Sequence, residues 1–300
     1  MLADFAVPKA KTVTHATRTL HDLRPSIFQS PSPYTLKTHA FTAVKHISIL
    51  HSAPFTSSSF YDPTTLRTHY LPEIESLVKS VLGARKVFIL TCHVREKEAL
   101  PPPKTVSELA KEREADPNDE PEPCGLKVDV SKLDLSKTMV GDIWNPKSRA
   151  GPARTVHIDF SPHGARQNIS NKRMDILEEA RDIIVAEDVA IAAGLSYEGR
   201  RYGIYSVWRP LKTAKRDPLI MCDPNSIEVK RDLVESMNKS PGVKGDFLNG
   251  LYMMRPGMRR SRSGTILGNE SLMRCFSCSS LIVMPSRKGD RWVCRMEVPS

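Results

Sequence analysis

Apolar and polar positions change period several times along this chain, and those changes mark its elements. Residues 1–33 show no clear period and read as a loose N-terminal extension. From Tyr34 to Leu50 the apolar residues come in short runs, Ala40-Phe41, Ile47 and Ile49-Leu50, which predicts one or two strands. Asp62-Pro63 supplies a helix cap followed by proline at the first helical position. Leu66, Tyr70, Ile74, Leu77, Val78 and Val81 then recur on one helical stripe, and Gly83 closes it. The β-type run from Lys86 to His93 predicts one buried strand, and Thr155 to Phe160 predicts another. Met174, Leu177, Ala180, Ile184 and Ile191 return to helical spacing, ending at Gly194. Arg201 to Trp208 alternates as a strand broken by Pro210, and Leu219 to Cys222 is a short apolar run before the turn Asp223-Pro224-Asn225. Leu248 to Met254 and Leu272 to Phe276 complete the expected strands. No internal repeat is visible, and the whole predicts a mainly β fold with supporting helices, a barrel or double sheet.

One window breaks the pattern. Residues 96–123 hold nine acids, four bases and six prolines, too little apolar surface to order the backbone, so a flexible insertion is expected there. Elsewhere 40% hydrophobic and 26% charged residues describe an ordinary globular chain. No run of eighteen apolar residues occurs, which argues against a membrane partner. The N-terminus has no secretory pattern, and six cysteines in such a chain read as reduced thiols, so a cytoplasmic location is expected.

The net charge of +10 raises nucleic acid as a partner, with the excess gathered late, from Arg255 to Arg295. No aromatic-studded, finger or helix-turn-helix signature accompanies it, so a solvated basic surface is the better reading.

The sharpest chemical feature is His157-Ile158-Asp159. On a strand, residues two apart point to one face, so imidazole and carboxylate converge. Two such ligands and one distant histidine make the facial site of non-haem iron(II) oxygenases. A histidine paired with a neighbouring carboxylate is the commoner use of the same pattern. Cys275-x2-Cys278 with Cys294 offers only three ligands where structural zinc needs four, and no thioredoxin-like context supports a redox use.

The segment from His157 to Ala165, HIDFSPHGA, resembles the metal-binding strand of the AsaB/CmcJ-like hydroxylase/desaturases, a family of secondary metabolism that includes gibberellin desaturase-like proteins. Further segments match that family in order: Tyr70 to Glu75, Gly83 to Val87, His93-Val94-Arg95, Val207 to Leu211 (VWRPL) and Leu219 to Asp223 (LIMCD). The resemblance covers roughly residues 34–280, leaving 281–300 as a divergent tail. It implies a double-stranded β-helix (jelly roll), iron(II) and 2-oxoglutarate as cofactors, and a small secondary metabolite as substrate. His157 and Asp159 are then metal ligands. Arg209 is expected either to bind the co-substrate or a residue behind the ligands, or to hold the barrel by a salt bridge. Trp208 reads as core more than as substrate platform.

The family's distal histidine has no counterpart, because all nine histidines lie at or before His163. The C-terminal part of the jelly roll is therefore expected to be divergent or incomplete. Three readings stay open: a homologue without catalysis that serves as a binding protein, an altered tail, or a substitute ligand, with His163 and Cys278 the nearest candidates. The chain as given is expected to bind iron(II) weakly.

Overall fold

The computed structural model describes residues 20–23, 25–26, 29, 31–95, 134, 136–140, 157–211, 219–255, 264–267 and 275–285. The expected insertion at 96–123 lies outside them, as does most of the late basic cluster.

The helical stripe after Asp62 forms as its spacing requires. The Asp62 carboxylate accepts from the backbone N–H of Thr65 at 2.7 Å and of Thr64 at 3.4 Å, which starts the helix at Pro63. A wider π-type turn, Leu66–Tyr70, leads into helix α1, Leu71–Leu82, and Gly83 ends it at φ 60°. Leu66, Tyr70, Ile74 and Val78 are buried, and with Leu50, Phe60, Val87 and Ile89 they make the larger core.

The run from Lys86 to His93 is not one strand. It is two, β2 (Ala84–Ile89) and β3 (Thr91–Arg95), interrupted at Leu90, where Thr138 and Arg173 both donate to the Ile89 carbonyl. Strand β4 (Met139–Val140) runs parallel to β3. The partner of both halves comes from far along the chain. β11 (Cys275–Pro285) pairs antiparallel with β2 through Leu281 to Pro285 and with β3 through Cys275 to Ser277. Its other edge takes β6 (Gly203–Pro210), from Cys275 opposite Pro210 to Val283 opposite Gly203. The strand expected at Leu272–Phe276 thus begins later and continues to Pro285, past the expected end of the domain at residue 280.

A second sheet contains β5 (His157–Ile158), β9 (Phe247–Met254) and β8 (Leu233–Ser240), in the order β5-β9-β8. A third joins β1 (Leu20–Asp22), β10 (Gly264–Leu267) and β7 (Leu219–Cys222). The end of the supposedly loose extension is therefore structured, and Leu23 packs with Phe41 in a small core of its own.

Two further expectations need correction. Tyr34 to Leu50 holds no strand: Leu36–His39 is one helical turn capped by Thr35, and Ile49–His51 is a 3-10 turn capped by Ser48. The β-branched run is too short, and too broken by Ser and Lys, to keep a strand period. The stripe of the long helix is also displaced. Helix α3, Met174–Ala192, buries Ile176, Ala180 and Ile183, not Met174 and Ile191, which are exposed. Between β5 and α3 lies helix α2, Pro162–Asn171. Together α2 and α3 bury Ile169, Ile176, Ala180 and Ile183 against Phe88 and Leu90 of the first sheet. Among the described residues no helix is long and apolar enough to cross a membrane.

Candidate metal centre

His157 opens the short strand β5, opposite Met253 of β9, and Asp159 stands at the bend that follows Ile158. The expected convergence is present: His157 Nε2 lies 3.1 Å from Asp159 Oδ1. Both side chains remain partly open to solvent, at 32% and 45% exposure, so a ligand has access to the pair.

The residues after Asp159 explain why the pair points where it does. Ser161 is the cap of α2: its hydroxyl accepts from the Gly164 N–H at 2.9 Å, while its own N–H donates to the Gly250 carbonyl at 2.8 Å. Ser161 Oγ also donates to Glu235 of β8. Gly164 lies so close to Gly250 that a Cβ there would collide with the β9 backbone. Farther along α2, the Asn168 amide bridges the Gly164 carbonyl and Asn249 Oδ1, at 2.8 and 2.7 Å. HIDFSPHGA is therefore two devices in one segment: a donor pair, and a helix start locked to β9.

The helix was missed by periodicity, because ten polar-rich residues show little stripe. Ser161-Pro162 was nevertheless a cap followed by proline, the signal that correctly placed the helix after Asp62.

A residue that sequence reasoning did not single out joins the pair. Ser206 Oγ donates to Asp159 Oδ2 at 3.2 Å, linking β6 of the first sheet to the bend beyond β5 of the second. The candidate centre thus lies where the two sheets meet. By strand alternation Ser206 and Trp208 share one face of β6, while Tyr205, Val207 and Arg209 take the other. Tyr205 and Val207 pack against the α1 core, and Trp208 is half-buried.

Arg209 follows that second face. Buried, it donates to Glu73 Oε1 of α1 at 3.2 Å and to His46 Nδ1 at 2.8 Å, with its guanidinium 5.4 Å from the Tyr70 ring. Glu73 in turn accepts from Ser48 Oγ and the Ile49 N–H at 2.8 and 2.9 Å. Of the two expected uses of Arg209, this is the salt bridge: it ties β6 to α1 and to the loop before it. Nothing in this arrangement brings Arg209 to the His157–Asp159 pair.

His163 is exposed in the first turn of α2. Among the described residues no three His, Cys, Asp or Glu side chains gather to hold an ion. The side chains of Cys275 and Cys278, and Cys294 entirely, lie outside the described residues.

The donor set suits a divalent first-row ion. Two ligand atoms about 2.1 Å from such an ion and at right angles lie about 3.0 Å apart. The separation of 3.1 Å matches that bite, and it equally suits a direct hydrogen bond when no ion is held.

The gibberellin cluster GA4 desaturase of Gibberella fujikuroi is 36% identical over 246 residues, covering 78% of this chain and 66% of the relative. Oxidoreductase chry3 of Gibberella zeae is 32% identical over 238 residues, 75% of this chain and 58% of that protein. The alpha-ketoglutarate-dependent dioxygenase tstK of Talaromyces stipitatus is 26% identical over 231 residues, 77% of this chain and 60% of its own length. The chain therefore spans between 58% and 66% of the length of these relatives. Among solved structures, an iron and alpha-ketoglutarate-dependent endoperoxidase, NvfI, aligns over 89% of this chain and 85% of its own at a TM-score of 0.47 and 17% identity. A family model described as an oxidoreductase/YMDC permease-like domain matches residues 6–255, most of the chain, and the protein belongs to that family.

Proposed function

We propose that the chain carries the metal site of an iron(II)- and 2-oxoglutarate-dependent oxidoreductase that hydroxylates or desaturates a small secondary metabolite. The observation that carries this is the approach of His157 Nε2 and Asp159 Oδ1 to 3.1 Å at the junction of two sheets, in a chain of an oxidoreductase family. The names of its relatives, a desaturase and alpha-ketoglutarate-dependent dioxygenases among them, support the choice of reaction and co-substrate. A jelly-roll core belongs to the same reading.

In this proposal His157 and Asp159 are the protein's ligands. Iron with 2-oxoglutarate supplies the oxidising power for an otherwise inert C–H bond. The protein's part is to fix two donors on one side of the ion and leave the remaining positions to co-substrate and oxygen. His157 serves as a neutral imidazole and Asp159 as a carboxylate, so binding weakens as acid protonates either. Arg209 acts elsewhere, as a strut.

The test is anaerobic titration of the intact chain with iron(II), followed by 2-oxoglutarate decarboxylation. With two protein ligands in place the expected result is weak binding, lost in both His157→Ala and Asp159→Ala, and little succinate. Grafting a histidine-bearing C-terminal segment from a relative should raise succinate release, and His157→Ala should then remove it. Iron binding that ignores both substitutions defeats the proposal. Binding that improves with the graft while decarboxylation stays absent favours a homologue that binds without turnover.

A further inference from the structure

We propose that Ser206 is a positioning residue for Asp159, fixing which carboxylate oxygen faces the metal; this rests on the metal-binding reading above. The carboxylate's two oxygens have different surroundings. Oδ1 lies 3.1 Å from His157 Nε2, while Oδ2 accepts from Ser206 Oγ at 3.2 Å. Asp159 follows the two-residue strand β5 at a bend, 45% exposed. Ser206 belongs to an eight-residue strand whose other seven residues pair with β11, and it stands where the register of that pairing shifts. The hydroxyl therefore ties the carboxylate to the longer strand β6. Occupying Oδ2 turns Oδ1 towards the imidazole and makes Asp159 a one-oxygen ligand, leaving more of the ion open than a two-oxygen grip would. Hydrogen bonds from behind a ligating carboxylate commonly set affinity in this way.

The experiment is titration of the full chain with cobalt(II), followed by its visible absorption, alongside thermal unfolding without metal. Ser206→Ala should weaken cobalt(II) binding about tenfold, the lower end of the range for such partners because the contact is exposed. Its cobalt spectrum should shift as the carboxylate changes its grip. Ser206→Thr keeps the hydroxyl and suits a strand, so it should restore both affinity and spectrum. The metal-free melting temperature should be unchanged in both variants, since a merely structural serine would lower it. Wild-type affinity and spectrum in Ser206→Ala, with binding lost in His157→Ala, would sink the Ser206 assignment and leave the metal reading standing. Cobalt binding that is equal in all variants, or absent from all, would overturn the metal reading and this inference with it.

Discussion

Gly250 lies at the tightest junction near the candidate centre, where β9 meets the start of α2. A Cβ on it would stand 2.5 Å from Ser161 Oγ and collide with the Glu235 carboxylate, so the cap must shift to admit it. Gly250→Ala should cost about 2 kcal/mol, in the range for forcing atoms into a filled site, read as a lower urea midpoint. It should also weaken metal binding, because the displaced cap follows Asp159 by two residues. Lys172 offers a second residue-scale test. It lines a small cleft with Leu90, Lys137, Met139 and Arg173, and burial lowers its pKa below the ordinary 10.5. The folded state then releases a proton that the unfolded chain keeps. Wild-type stability should rise with pH between the depressed pKa and 10.5 for this group, and the protonated lysine should be a burden below it. Lys172→Met should therefore raise the melting temperature at neutral pH, and the gain should shrink as pH approaches 10.5. A gain independent of pH would reject the burial argument.

At the scale of elements, the caps decide most. Ser161→Ala should remove about 1 kcal/mol, the usual worth of a helix cap, and loosen α2 where it adjoins the donor pair. Hydrogen exchange in the first turn of α2 should rise before exchange in α3, which has its own anchor: Arg166 of α2 pairs with Glu187 and, at 2.5 Å, with Asp188. These caps were also what the sequence made legible. Asp62-Pro63 and Gly83 bounded a helix correctly because capping chemistry is local, and alternation placed β6 for the same reason. The donor pair was legible in its approach, but Asp159 stands at the bend after β5 and not on the strand that the spacing predicts. Long-range partners were not. Nothing local to Ser206 says that a carboxylate 47 residues earlier will meet its hydroxyl. Nor does Arg209 announce Glu73 across 136 residues. Strand β8, Leu233–Ser240, escaped because its run LVESMNKS is mostly polar and gains its place by pairing with β9. The phase of α3 was misread because exposed apolar residues, Val185, Val189 and Ile191, blur its stripe.

For the whole molecule, β11 is the keystone of the main sheet, flanked by β2 and β3 on one edge and β6 on the other. A chain ended after residue 274 should lose cooperative unfolding and expose apolar surface to dye. A cooperative transition in the chain ended after residue 274 would show that β6 and β2 have another way to pair. The position of β11 also sets a timetable for biosynthesis. Its partners end at Arg95 and Pro210, so at about 5–20 residues per second a ribosome exposes them for several seconds before Cys275–Pro285 is made. During that interval three strand edges wait unpaired, the condition under which nascent chains aggregate or recruit chaperones. Recovery of native protein from cells should therefore depend on temperature and chaperone supply more steeply than the stability of the finished fold would suggest.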